Sequence, residues 1–244
     1  MLEIQLKQWH STIPGRLVGE QEAAVLRAWL DGIFGYRLVQ LGGVSWPGED
    51  PLVLSPIGHK IRLHRAVGGF QASGVADPGR LPLASDSIDL VLLPHTLDFC
   101  TDPRRVLREV ERVLIADGRL ITMNFNPWSL WGLRRAGARM FGNTEPPWGA
   151  NFTGYLRLSD WLSLLGLEIE KTEVMMFRPP LKSEGMMRRA RFLERTGRRL
   201  WPFMAGVYMV QAIKRVQTLT PVRPSWHRLR QLKGGALEPT VRGT

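Results

Sequence analysis

The sequence predicts an α/β protein built as a three-layer α/β/α sandwich. Two observations carry this. Leu81 to Pro127 reads as an apolar strand, an amphipathic helix and a second apolar strand joined by short polar turns, which is the building unit of a parallel sheet. The same alternation of strand and helix begins near Gly19, and the chain closes with two further strands joined by a helix. A chain of 244 residues with 44% apolar and 23% charged residues can bury one sizeable core.

Gly19 to Phe34 is a helix by the recurrence of Ala24, Leu26, Leu30 and Phe34, with acids in its first turn. Arg37 to Leu41 is a short apolar strand running into Gly42-Gly43. Lys60 to Val67 alternates polar and apolar residues and is a second strand, and the Gly-rich stretch Gly68 to Gly79 is turn-like. Ser87 to Leu93 is the third clear strand. The strongest helix is Asp102 to Leu114: Asp102 caps it, Pro103 fits the first helical position, and Val106, Leu107, Val110, Val113 and Leu114 form one stripe. Asp117-Gly118 turns the chain into the strand Arg119 to Phe125. Ser129 to Phe141 is a basic helix rich in Trp and Leu, and Gly142 to Gly149 is a loop. Leu158 to Leu165 is a short helix with Ser159 as its cap, Leu167 to Phe177 a strand, Ser183 to Leu200 a basic helix, and Ala205 to Val216 the last strand. Residues 1–216 thus form one domain. From Gln217 onward the chain is rich in Pro, Arg and Gly with few core formers, and a disordered basic tail is expected.

In an open α/β sheet ligands sit outside the carboxyl ends of the strands. Those ends are Gly42-Gly43, His64, Asp77 to Leu81, Pro94-His95 and Asn124 to Asn126. Ala76-Asp77-Pro78-Gly79-Arg80-Leu81-Pro82-Leu83, then Asp86-Ser87-Ile88-Asp89-Leu90-Val91, then His95-Thr96-Leu97-Asp98 resemble, in order, three signatures of the class I, Rossmann-like S-adenosylmethionine-dependent methyltransferases of type 11. The resemblance runs from about Gly19 to Pro127 and is most specific from Asp77 onward. It implies a mostly parallel, seven-stranded Rossmann-like sheet whose last two strands form an antiparallel hairpin edge.

The resemblance also implies S-adenosylmethionine as cofactor and a set of residues around it. Asp77 would meet the adenine amino group and Leu81 cover the ring. His64 stands where the family has the acid that holds the ribose hydroxyls. Gln40 replaces the acid that helps hold the methionine ammonium, and Gly42 and Gly43 line the turn; Val44 and Trp46 stand where the family's second and third glycines are expected. A neutral amide still accepts a hydrogen bond from an ammonium, at roughly half the strength of a charged one. Trp46 would narrow the pocket unless the loop takes another path. His95, at a strand's carboxyl end, is the candidate catalytic residue, able to orient an acceptor or take its proton; a structural role is the other reading. Asn126-Pro127-Trp128 is best read as a turn into the next helix, despite its likeness to a motif of nucleic-acid amino methyltransferases.

No apolar run reaches the roughly 18 residues needed to span a membrane, and Met1 to Gly15 lacks a signal pattern. The single cysteine, Cys100, forms no internal disulfide, and no Cys/His cluster has metal spacing; a cytoplasmic setting without a metal is expected. The net charge of +11 is concentrated: Arg178 to Thr244 holds 15 Lys/Arg against 3 Asp/Glu. Residues 182–233 are therefore expected to contact nucleic acid or an anionic surface, or to be a solvated basic face. The functional reading is a methyltransferase acting on an unidentified small-molecule or nucleic-acid acceptor. The alternative is a methyltransferase-like binding or scaffold protein that has lost the cofactor, suggested by Gln40, Val44, Trp46 and His64.

Overall fold

The computed structural model describes residues 8–42, 46–65, 72–142, 145–181 and 183–216. Helix α1 (Ile13–Leu30) starts six residues before the expected position. Thr12 accepts a hydrogen bond from the Gly15 amide, and Pro14 occupies the first turn, so the helix is already set there. It ends at Leu30 with Asp31 as cap, leaving Phe34 exposed.

The strands are β1 (Arg37–Leu41), β2 (His59–His64), β3 (Gly74–Val75), β4 (Ile88–Pro94), β5 (Leu114–Phe125), β6 (Leu167–Met175) and β7 (Val207–Lys214). They form one seven-stranded sheet in the order β3-β2-β1-β4-β5-β7-β6. The strands from β3 to β5 are parallel; β7 lies between β5 and β6 and is antiparallel to both. The hairpin edge is where it was expected. β5 begins earlier than Arg119: Leu114 already pairs with Ile88, and an irregularity at Asp117, whose φ is 59°, shifts the register before Arg119 meets Leu90.

Alternation along the strands divides the core into two layers. Leu38, Leu90, Leu92, Ile121, Met123 and Phe125 face α1 and Trp131. Val39, Leu41, Val91, Leu93 and Leu120 face the stripe Val106, Leu107, Val110 and Val113. That stripe belongs to α3 (Pro103–Val113), capped by Asp102 as read from the sequence. A single turn, α2 (Thr96–Phe99), follows β4.

Helix α4 (Leu130–Met140) starts at the cap Ser129, and α5 (Tyr155–Leu164) starts at Gly154, so Ser159 lies inside that helix and does not cap it. The basic segment expected as one helix is two, α6 (Glu184–Arg189) and α7 (Phe192–Leu200). The turn between them lets α7 lie against the loop after β6, where a Cβ on Gly197 would meet the Phe177 ring at 2.4 Å. No described helix is long and apolar enough to cross a membrane. The tail beyond residue 216 lies outside the described residues.

Candidate active site

The sheet order puts the carboxyl ends of β3, β2, β1 and β4 side by side, so Asp77, His64, Gln40, Gly42 and His95 come from neighbouring strands. The first strand end is the most constrained. Gly42 has a φ of +91°, and its amide donates to the Leu63 carbonyl at 2.9 Å. A Cβ there would stand 3.0 Å from Thr96 Oγ1, which itself donates to the Leu41 carbonyl. Backbone conformation and space both favour glycine at this position. Gly43 and Val44 lie outside the described residues.

Gln40 is 2% exposed. Its Nε2 donates to the Gly42 carbonyl at 2.9 Å, while Oε1 is buried and finds no donor among the described residues. A buried acceptor without a donor costs about 1–3 kcal/mol, so this oxygen marks a place suited to a ligand's N–H or ammonium.

Trp46 packs into the core layer on the α1 side, with Trp9, Val18 and Leu26 in the same cluster. Gly19 of α1 makes room for the next residue: a Cβ there would lie 2.8 Å from Pro47 Cδ. After the glycine turn the chain thus returns against α1.

His64 is buried at the end of β2, with its carbonyl receiving the Ala76 amide at 2.8 Å. Asp77 accepts the Gly79 amide at 3.1 Å, lies 4.0 Å from Arg105 Nη2, and keeps 55% of its side chain exposed. Leu81 is buried in the opposite core layer, and its amide donates to Glu109 Oε2 at 2.9 Å.

His95 stands at the end of β4, enclosed by its neighbours. It has a left-handed φ of 55° and no solvent exposure. Nδ1 lies 3.1 Å from Asp98 Oδ2, and Nε2 lies 2.7 Å from Glu22 Oε1. The ring stacks on Phe125 with centroids 4.2 Å apart. Burial pushes the imidazole down, but Glu22 and Asp98 outweigh it and raise the pKa from 6.5 to about 9. Burial raises the Asp98 carboxyl, and the His95, Phe125 and Thr153 hydrogen bonds partly oppose it. With both nitrogens engaged and one face covered, His95 is not placed to take a proton from an acceptor. It ties α1 to the strand end, held between the side-chain oxygens of Glu22 and Asp98. Glu22 carries one signal in the sequence, its spacing from Val18 and Leu26, four residues either way on one helix face.

Beyond this trio stands an aromatic stack. Trp9 meets Phe125 and Trp131 edge-on, and Phe152 stacks on Phe125 at 4.9 Å. Next to it opens a cleft of about 620 Å³ lined by residues including Trp9, Thr12, Ile13, Arg134 and Trp148. The Arg134 guanidinium lies 4.9 Å from the Trp148 ring centroid.

The comparison with known proteins agrees with this architecture. The family described as "Methyltransferase domain" matches residues 62–122, a stretch that holds His64, Asp77, Leu81 and His95 and begins after the Gln40–Gly42 turn. The protein YafS of Escherichia coli is 33% identical over 230 residues, covering 93% of this chain and 90% of YafS. The chain belongs to the same family as YafS, and its residues 62–122 match a methyltransferase domain. A malonyl-[acyl-carrier protein] O-methyltransferase of Laribacter hongkongensis is 40% identical over 84 residues, 34% of this chain and 28% of that protein. Among solved structures, an S-adenosylmethionine-dependent methyltransferase of Thermotoga maritima, possibly a histamine N-methyltransferase, shares the fold with a TM-score of 0.56 at 20% identity, covering 78% of this chain and 87% of that one. A methyltransferase of Mesorhizobium loti gives 0.56 at 19% identity, with 81% and 99% covered. The two structural neighbours are S-adenosylmethionine-dependent enzymes, and the Gln40 oxygen, without a donor among the described residues, and the Gly42 turn suit that cofactor.

Proposed function

We propose that this methyltransferase acts on a small-molecule acceptor, and that Gln40, Gly42, His64, Asp77 and Leu81 hold its cofactor. S-adenosylmethionine supplies an electrophilic methyl group on a sulfonium. The chain's own task is to hold donor and acceptor in register in a dry site, which alone can lower a barrier by about 7–11 kcal/mol.

Gln40 Oε1 would accept the cofactor's ammonium N–H, satisfying the one buried acceptor of that side chain that has no described donor. Gly42 would let backbone approach the ligand. The reachable carboxylate of Asp77 would take the adenine amino group, with Leu81 as apolar cover, and His64 would face the ribose hydroxyls. His95 would act on none of these; its two carboxylate partners fix the β4 end and α1 around the site.

The observation that carries the small-molecule reading is the cleft beside the aromatic stack. Its volume of about 620 Å³ lies within the range of ligand pockets for small molecules, and it combines indole walls with one arginine and one glutamate, Arg134 and Glu145. Transfer of label from S-adenosylmethionine separates the readings: label moving into a small-molecule fraction supports this one, and label moving into RNA or DNA overturns it. Absence of any affinity for S-adenosylhomocysteine would instead favour the scaffold reading.

A further inference from the structure

We propose that the end of the sheet formed by α7, the turn after it and the start of α4 docks on an anionic lipid bilayer. The inference stands apart from the proposed acceptor and from cofactor binding.

Three observations converge. Leu200, Trp201, Phe203 and Met204 follow one another around a Pro202 turn, and all four side chains are exposed, Phe203 by 65%. Trp128, 79% exposed, is held to the same turn by Asn126. Asn126 Nδ2 donates to the Phe203 carbonyl at 2.7 Å and to the Ala205 carbonyl at 2.9 Å, while its Oδ1 accepts the Trp128 amide at 3.0 Å. One nearly buried amide thus fixes two exposed aromatic segments, far apart in sequence, beside each other. Clustered exposure of this kind marks an interaction surface; apolar residues scattered singly do not.

The third observation is charge. Glu184 to Leu200 carries six arginines against two glutamates. Arg178 pairs with Glu194 and Arg198 with Glu173, whereas Arg188, Arg189, Arg191, Arg195 and Arg199 make no ion pair among the described residues. Arg195 and Arg199, without ion-pair partners among the described residues on the helix that runs into the exposed indole, phenyl and aliphatic groups of the turn, match the two layers of an anionic membrane surface. The rings and the Leu and Met chains enter the acyl boundary, and the guanidinium groups meet the headgroup phosphates. A nucleic acid would use the flat rings and the charge but would leave Leu200 and Met204 in water.

The test is co-sedimentation of the full chain with phosphatidylcholine vesicles with and without phosphatidylglycerol. The same measurement on Trp201→Ser/Phe203→Ser is accompanied by its melting temperature. Binding that requires phosphatidylglycerol and falls about tenfold or more in the double variant supports the proposal. No binding to the anionic vesicles overturns it, as does equal binding by the double variant, which would reduce the effect to charge alone. Should the double variant melt early, tryptophan quenching of the unaltered chain by brominated lipid decides: quenching supports insertion and its absence refutes it. Binding to single-stranded RNA in place of vesicles would assign the surface to nucleic acid and overturn the proposal.

Discussion

Glu22 Oε1 lies 2.7 Å from His95 Nε2, with both side chains closed to solvent, so a charge pair joins the first helix to the end of the fourth strand. A buried pair of this kind is costly to break, because the partner left behind is charged and unpaired. Glu22→Leu should therefore lower stability by about 3–5 kcal/mol, read from urea unfolding, while Glu20→Leu on the exposed face should change it by less than about 1 kcal/mol.

The same pair sets a pH dependence. The folded protein holds the His95 proton up to about pH 9, whereas the unfolded chain releases it near 6.5. Stability from this proton is complete below pH 6.5 and is lost as pH rises through 9, an effect of about 3 kcal/mol. The raised Asp98 carboxyl acts in the same direction at lower pH. Unfolding midpoints between about pH 6 and pH 9.5 should fall, and His95→Phe should flatten the slope. An unchanged slope in that variant would place the titrating group elsewhere.

Gly132 carries a packing prediction. A Cβ there would stand 1.9 Å from the Pro127 carbonyl oxygen, a backbone atom that cannot move aside, in the first turn of α4. Gly132→Ala should cost about 3 kcal/mol or displace α4, whereas Gly137→Ala, which meets nothing within 4 Å, should be neutral or stabilising. Thermal melting of the two variants compares them directly.

Lys214 is the cation buried at the far end of β7. Its Nζ donates to the carbonyls of Glu111 and Leu114 at 2.8 and 2.9 Å and lies 3.0 Å from Asp86 Oδ1. Lys214→Met leaves those acceptors without their donor and should cost about 2 kcal/mol, with no effect on ligand affinity at the opposite end of the sheet.

Much of the architecture was legible because β4, α3 and β5 obey their local rules: apolar runs of strand length, an Asp-Pro start and one stripe. The errors fell where tertiary packing decides. Ser159 looks like a cap, yet Gly154 begins the helix, and α6 and α7 divide so that Gly197 can lie on Phe177. The site was legible by position but not by environment. Sequence order could place His95 at a strand end; it could not show that Glu22, far away along the chain, closes its second nitrogen. Gln40 looked like a weakened ligand, and only the structure exposes its oxygen as a buried acceptor with no described donor.

The crevice at Gln40 and Gly42 should still take a sulfonium nucleoside. Isothermal titration with S-adenosylhomocysteine, on the unaltered chain and on Gln40→Ala, tests it most directly. Saturable binding is expected, weakening about tenfold or more when the Gln40 oxygen is removed, the worth of a hydrogen bond to a charged group. No heat and no melting shift in the unaltered chain at high ligand concentration would contradict it.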